Sequence, residues 1–262
     1  MGAKLSKAPV YYVVAQAQFN PILDLDSFLP GIQAQMREAN FPDFRQEVVQ
    51  RLVFPMGMSD TAQQLAPALS RQTRYFFGNV DGRTSFLLDT SSLSLQTTAY
   101  DTFETFSQTF LACLGILHKS LRLAYVERIG LRYLDAIYPL ETEGRLNAYL
   151  VPEVLGLSHK LDGQLAHSVS ETVRLMTTGQ LVSRVIIREG RIGFPEELAV
   201  LPLDPRFAQW EGLHAIVDSD AFHSQREAFN VAAVEARLVS LHDLIEQSFK
   251  TTVTDHARAT WA

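Results

Sequence analysis

Cysteine is almost missing from this chain. Cys113 stands alone among 262 residues, so no disulfide can form within the chain, and a reducing compartment is the expected home. Long apolar runs are missing too: no stretch nears the roughly 20 residues that a spanning helix needs. The N-terminus lacks the apolar core of a secretory signal, so a cytoplasmic protein without a membrane span is expected. Lysine is scarce, 5 against 18 arginines, and the net charge is −6, which excludes a generally basic nucleic-acid footprint. Residues 1–138 carry 12 Lys/Arg and 12 Asp/Glu, whereas residues 139–262 carry 11 and 17, so the second half holds the whole acidic excess.

The familiar catalytic signatures are absent as well. The chain has no Gly-x-Gly-x-x-Gly, phosphate-loop lysine motif, Gly-x-Ser-x-Gly elbow or His-Glu-x-x-His. The seven histidines are scattered. His242 and Glu246 lie one helical turn apart, but two ligands make no metal site. Neither a metal nor another cofactor is expected, and Cys113 falls in the apolar pattern of a predicted helix, where a small buried thiol is ordinary. Gly2 and Ser6 match the N-myristoylation pattern formally.

What is present is an echo. Leu87-Leu88-Asp89-Thr90-Ser91, followed by Tyr100-Asp101 at the start of a long amphipathic helix, recurs as Ile216-Val217-Asp218-Ser219-Asp220, followed by Phe229-Asn230. Each half reads as strand, helix, about three strands, long helix. In the first half the strands are Val10–Phe19, Phe44–Phe54, Arg74–Asn79 and Thr84–Asp89, with an Asp81-Gly82 hairpin signal between the last two. A helix capped by Asp26 or Ser27 would face inward with Phe28, Leu29, Ile32 and Met36, and residues 57–72 read as a polar connection. Asp101 and Glu104 suggest a capping box before Phe103, Phe106, Phe110, Leu114, Leu117 and Leu121. The second half offers a strand at Tyr125–Ile137, a helical piece around Leu146–Leu155, and strands at Ser168–Thr177, Leu181–Arg188 and Leu213–Asp218. A helix follows from Asn230. Residues 189–212, rich in Gly and Pro, form a connection long enough to be a functional loop or an arm.

The expected fold is therefore α+β: two pseudo-repeats, residues 1–124 and 125–262, fused into one continuous globular unit with a curved antiparallel sheet and helices on one face. The order resembles the TATA-binding-protein-like architecture, a topological likeness that implies no DNA binding. Two ferredoxin-like domains are the alternative.

The strand Glu127-Arg128-Ile129-Gly130-Leu131-Arg132-Tyr133 carries the most distinctive chemistry. Strand alternation puts Ile129, Leu131 and Tyr133 on one face and Arg128, Gly130 and Arg132 on the other. Two guanidiniums flanking a bare backbone position could admit a flat anionic group, with Arg184 as a further contact. Gly130→Val is accordingly expected to disrupt more than Arg132→Ala. Arg45, Arg51, Arg74, Arg174 and Arg188 also fall on strands, with Glu47, Glu127, Asp135 and Glu171 available to pair with them, so an internally paired polar face is the competing reading. Asp218 and Asp220 could form a carboxylate pair, but the echo with Asp89 suggests a strand-ending role.

Arg128–Asp135 (Arg-Ile-Gly-Leu-Arg-Tyr-Leu-Asp), the Tyr100 helix start and the closing pattern Leu238, Leu241-His242, Ile245 and Phe249 resemble a sporadically distributed bacterial protein family of about 250 residues without established activity. Asp135 stands where members often have Asn. The resemblance implies an architecture and no chemistry. The leading expectation is a non-catalytic cytoplasmic protein that engages a protein partner through a sheet face or the 189–212 loop. The alternatives are anionic-ligand binding, a nucleotide or nucleic acid, through Arg128, Gly130, Arg132 and Arg184, and an enzyme with an unrecognised site.

Overall fold

A computed structural model describes residues 7–53, 68–139, 145–198 and 200–262. The Gly2 motif and residues 57–67 of the polar connection lie outside the described residues. The order is β1 (Val10–Phe19), α1 (Leu25–Glu38), β2 (Asp43–Val53), β3 (Ala68–Gly78), β4 (Thr84–Leu88), β5 (Ser92–Thr97), α2 (Phe103–Leu121) and β6 (Tyr125–Ile137). Then come α3 (Leu146–Tyr149), α4 (Pro152–Leu155), β7 (His167–Met176), β8 (Gly179–Arg188), α5 (Pro205–Ala208), β9 (His214–Ala228), α6 (Val231–Thr252) and α7 (Asp255–Trp261). All nine strands join one antiparallel sheet in the order β2-β3-β4-β5-β1-β6-β9-β8-β7.

Alternation along the central strands sorts the two faces. Val13, Ala15, Ala17 and Phe19 of β1 and Ile129, Leu131 and Tyr133 of β6 enter one core with the inner faces of α1, α2 and α6. The helices supply residues at three- and four-residue spacing: Phe106, Phe110, Cys113, Leu114 and Leu117 from α2, and Val234, Leu238, Leu241 and Ile245 from α6. Each large apolar side chain buried this way, Phe110 for example, contributes about 1.5–3 kcal/mol relative to exposure. Val185, Ile187, Ala215 and Val217 continue the same face into a second cluster with α3 and α7.

Side-chain caps set the entry of α2 and α6, whereas α1 begins at Leu25 after Asp24 with no side-chain cap bond, so neither Asp26 nor Ser27 is its cap. Asn230 accepts from Ala233 N as expected, whereas α2 starts one residue later than expected: Thr102, not Asp101, accepts from Thr105 N. Phe28, expected inside α1, is 38% exposed, and Leu25 takes the inner position instead. The β3–β4 turn uses Gly82 at φ +70°, while at the β7–β8 turn a Cβ on Gly179 would lie 2.5 Å from the carbonyl oxygen of Phe222.

The opposite face is not bare. At its β1 end, a bulge between Val10 and Tyr12 turns both Tyr11 and Tyr12 toward this side, where they meet Leu134, Ala136 and Ile216. Residues from the 189–212 connection cover them: Ile192, Phe194, Leu198 and Leu201, then Phe207 of α5 and Trp210. The one-sided helix arrangement expected from sequence thus omits α5 and this strap. Beyond the strap the face is mixed, with Gln16, Ser94, Arg128 and Asp220 beside Phe76, Leu87 and Phe222.

Candidate functional site: a polar groove on the sheet

Because Ile129, Leu131 and Tyr133 point into the helical core, Arg128, Gly130 and Arg132 emerge on the opposite face at the middle of the sheet. Register fixes their neighbours. Gly130 lies between Gln16 of β1 and Phe222 of β9, and Arg132 between Val14 and Asp220. Arg184 of β8 sits opposite Asp218. The fold therefore gathers Arg128, Gly130, Arg132 and Arg184 on one surface, but gives the three arginines different partners.

Asp218 is 1% exposed and anchors two of them. Arg132 grips it with both arms of its fork, Nε to Oδ1 at 2.7 Å and Nη2 to Oδ2 at 2.8 Å, and Nη2 also donates to Glu197 of the strap at 2.9 Å. Arg184 donates to Glu171 and approaches Asp218 at 3.4 Å. Burial works against the charge on Arg132, yet the hydrogen bonds and charges of Asp218 and Glu197 outweigh it and hold the guanidinium above its ordinary pKa. This corrects the strand-ending role expected for Asp218. β9 continues ten residues beyond it to Ala228, and only Asp89 bonds local backbone, accepting from Ser91 N at 2.8 Å.

Arg128 is different. Its guanidinium carbon lies 4.4 Å over the Phe222 ring, and Nη1 donates to Gln16 Oε1 at 3.2 Å. No carboxylate of the described residues lies within ion-pairing distance of it. Burial pulls its pKa down, and only the charge of Asp220 opposes this. The bare position expected at Gly130 is where this side chain rests: a Cβ there would lie 2.9 Å from Arg128 Nη1. Since that contact is the free end of a flexible side chain, the backbone is not what demands glycine, and the expected severity of Gly130→Val loses its basis.

Arg128, Gly130 and Arg132 line a groove of about 420 Å³ together with Arg74, Gln16, Ser94, Gln96 and Asp220, rimmed by Glu47 of β2 and Glu196 and Glu197 of the strap. Arg74 and Glu47 are register partners on β3 and β2, yet they form no ion pair, and Arg74 Nε is buried without a hydrogen-bond partner among the described residues. Burial raises the carboxyl pKa of Asp220 against the pull of Arg128 and Arg132, and no described residue bonds it. A larger cavity, about 650 Å³, lies between Leu146, Leu155, Ile187 and Trp210. Its walls are mostly apolar and gather no comparable set of facing charges.

The remaining candidates disperse. Arg45 pairs with Asp43, Glu127 pairs with Arg226, and Arg174 faces the helix side beside α6; the Arg51 side chain lies outside the described residues. His242 stacks on Phe103, with Nδ1 3.3 Å from the Tyr133 hydroxyl, while Glu246 pairs with Lys250, so the two do not come together. No group of three potential metal ligands occurs among the described residues. No helix of the described residues is long and apolar enough to cross a membrane. Gln16 and Phe222 were not legible as site residues, and Arg74 and Asp220, noted as a strand arginine and as one of a carboxylate pair, were not placed beside Arg128. Their alternation was visible, but their convergence depends on which strands neighbour β6. Compared with protein-family models and with curated protein sequences, the chain gives no match.

Proposed function

We propose that this chain is a non-catalytic binding protein whose polar groove receives the anionic group of a small ligand on Arg128, assisted by Arg74. One observation carries this reading. Arg128 is a half-buried guanidinium held in place by Phe222 and Gln16, with no carboxylate of the described residues to neutralise it. A desolvated, preorganised guanidinium is a stronger anion receptor than a solvated one. Arg132 and Arg184, already bound to Asp218, serve as the frame and not as the receptor.

Acetate and inorganic phosphate, titrated by calorimetry, test the reading. Saturable binding by the native chain that Arg128→Gln abolishes and Arg184→Gln retains is expected. Equal binding by all three proteins refutes it.

A protein partner is a second reading, favoured by edge strand β7, where Val169, Val173 and Leu175 stand exposed on the groove face beside an unpaired ladder. The apolar residues of the 189–212 connection pack on the chain's own sheet, which leaves that edge as the better docking element. We also infer a duplicated, TATA-binding-protein-like architecture in one unit, with halves at 1–124 and 125–262. Its support is the strand order, in which β1 and β6, the first strands of the halves, meet at the centre while β2 and β7 lie at opposite edges. A cytoplasmic location belongs to the same reading.

A further inference from the structure

The groove's charges are mixed, and the mixture narrows its ligand. Three guanidiniums (Arg74, Arg128, Arg132) and four carboxylates (Glu47, Glu196, Glu197, Asp220) line it. Arg132 is spent on Asp218 and Glu197. That leaves two guanidiniums free to meet an anion and three carboxylates, Glu47, Glu196 and Asp220, that would repel it. A phosphate or a polyanion gains from Arg128 and loses to its surroundings. The two kinds of free charge also belong to different strands: Arg128 on β6 lies over Gly130, between Gln16 of β1 and the Phe222 ring of β9, while Asp220 belongs to β9, two residues from Phe222. Both are partly desolvated and neither has an ionic partner within salt-bridge distance among the described residues. Two unpaired, opposite charges, facing the same space of about 420 Å³ without closing on each other, form a receptor for two complementary charges on one molecule.

We propose that the ligand is a small zwitterion, a free amino acid or dipeptide, with its carboxylate on Arg128 and its ammonium group on Asp220. Gln16, Ser94 and Gln96 form the groove floor, and the bond between Gln16 and Ser94, with those to Ser85, Tyr12 and Arg128, holds that floor in place. Glu197 shows what a carboxylate does here, because the strap already places one on a groove arginine, Arg132. Burial opposes the charge on Asp220, and an arriving ammonium group would favour the carboxylate. The inference rests on the reading of the groove as an anion receptor and goes beyond it in requiring a cation-binding half.

The full chain, probed by saturation-transfer NMR with each of the twenty amino acids, dialanine, inorganic phosphate and ATP, decides the matter. The best amino acid or dipeptide is then compared by calorimetry with its N-acetyl and carboxamide forms. Each capped form is expected to bind at least about tenfold more weakly, since each loses a charge-assisted hydrogen bond in a partly desolvated site. Asp220→Asn is expected to weaken the free ligand about tenfold while leaving the N-acetyl form unchanged, and Arg128→Gln to weaken both. Arg128→Lys, which keeps the charge and loses the planar fork, is expected to weaken both as well and serves as the second variant if Arg128→Gln fails to fold. Phosphate or ATP binding more tightly than every amino acid, or an N-acetyl form binding as well as the free one, overturns the zwitterion while leaving the anion groove standing. Absence of binding by every probe overturns both.

Discussion

Arg132→Ala is the sharpest perturbation of the sheet face, and its cost can be worked from the geometry. The substitution removes hydrogen bonds of 2.7 and 2.8 Å to a carboxylate that is 1% exposed, and leaves Asp218 facing only Arg184 at 3.4 Å. Removing one partner of a buried ion pair costs about 3–5 kcal/mol, and the residual Arg184 contact places the expectation near the lower end, about 3 kcal/mol. At about 2–4 °C per kcal/mol for a chain of this size, the melting temperature falls by roughly 6–12 °C. At Gly130, by contrast, the atoms nearest an added Cβ belong to the movable end of Arg128, and valine is β-branched in a strand, so the cost of Gly130→Val is expected to stay below about 1.5 kcal/mol. Replacing both partners, Arg132→Met with Asp218→Leu, should recover much of the loss, because it leaves no buried charge unpaired. Urea denaturation of the three variants measures the set. An Arg132→Ala loss under about 1 kcal/mol, the range of exposed pairs, or a larger loss for Gly130→Val, would refute the reasoning.

Three further outcomes are expected. Burial raises the Asp135 carboxyl to about 8 from an ordinary value near 4, so between those pH values the folded chain holds a proton that the unfolded chain releases, and stability falls as pH rises by about 1.4 kcal/mol per unit. Asp135→Asn should flatten that slope in urea melts between pH 5 and 8, stabilising the chain at pH 8; an unchanged slope contradicts the assignment. Burial pushes the Cys113 thiol up to about 12, so it should react with a thiol reagent only at the rate of unfolding, and rapid labelling of the native chain would show that the α2 face is open. Gly179→Ala brings a Cβ against the fixed carbonyl of Phe222 and should cost about 1–3 kcal/mol in a thermal melt, against a near-neutral change if the turn can relax.

The central strands were legible because nothing competed with their patterns. Val10–Phe19 and Tyr125–Ile137 emerge with the bounds read from β-branched and aromatic content. β5 was missed because Ser92-Leu-Ser-Leu-Gln-Thr97 reads as polar. It is nevertheless fully buried, its polar face being satisfied laterally: Gln96 donates to Ser85 and accepts from Tyr12, and Gln16 donates to Ser94. β9 was cut short at Asp218 because two aspartates look like a strand end until the arginines of β6 and β8 lie beside them. The strap was read as a functional loop or an arm, since the apolar surface it covers is created only when the β1 bulge turns Tyr11 and Tyr12 to the same side. Local periodicity thus reveals which side chains share a strand face. Which arginine is spent and which is free depends on register between residues 86 apart, and no local pattern carries that.

Side-chain ¹⁵N–¹H spectra of the arginine Nε groups, recorded while acetate is added at constant ionic strength, report directly on which guanidinium is available. Saturable movement of the Arg128 signal, with those of Arg132 and Arg184 unmoved, is the predicted result. Movement of Arg132 or Arg184 with Arg128 silent would contradict the account.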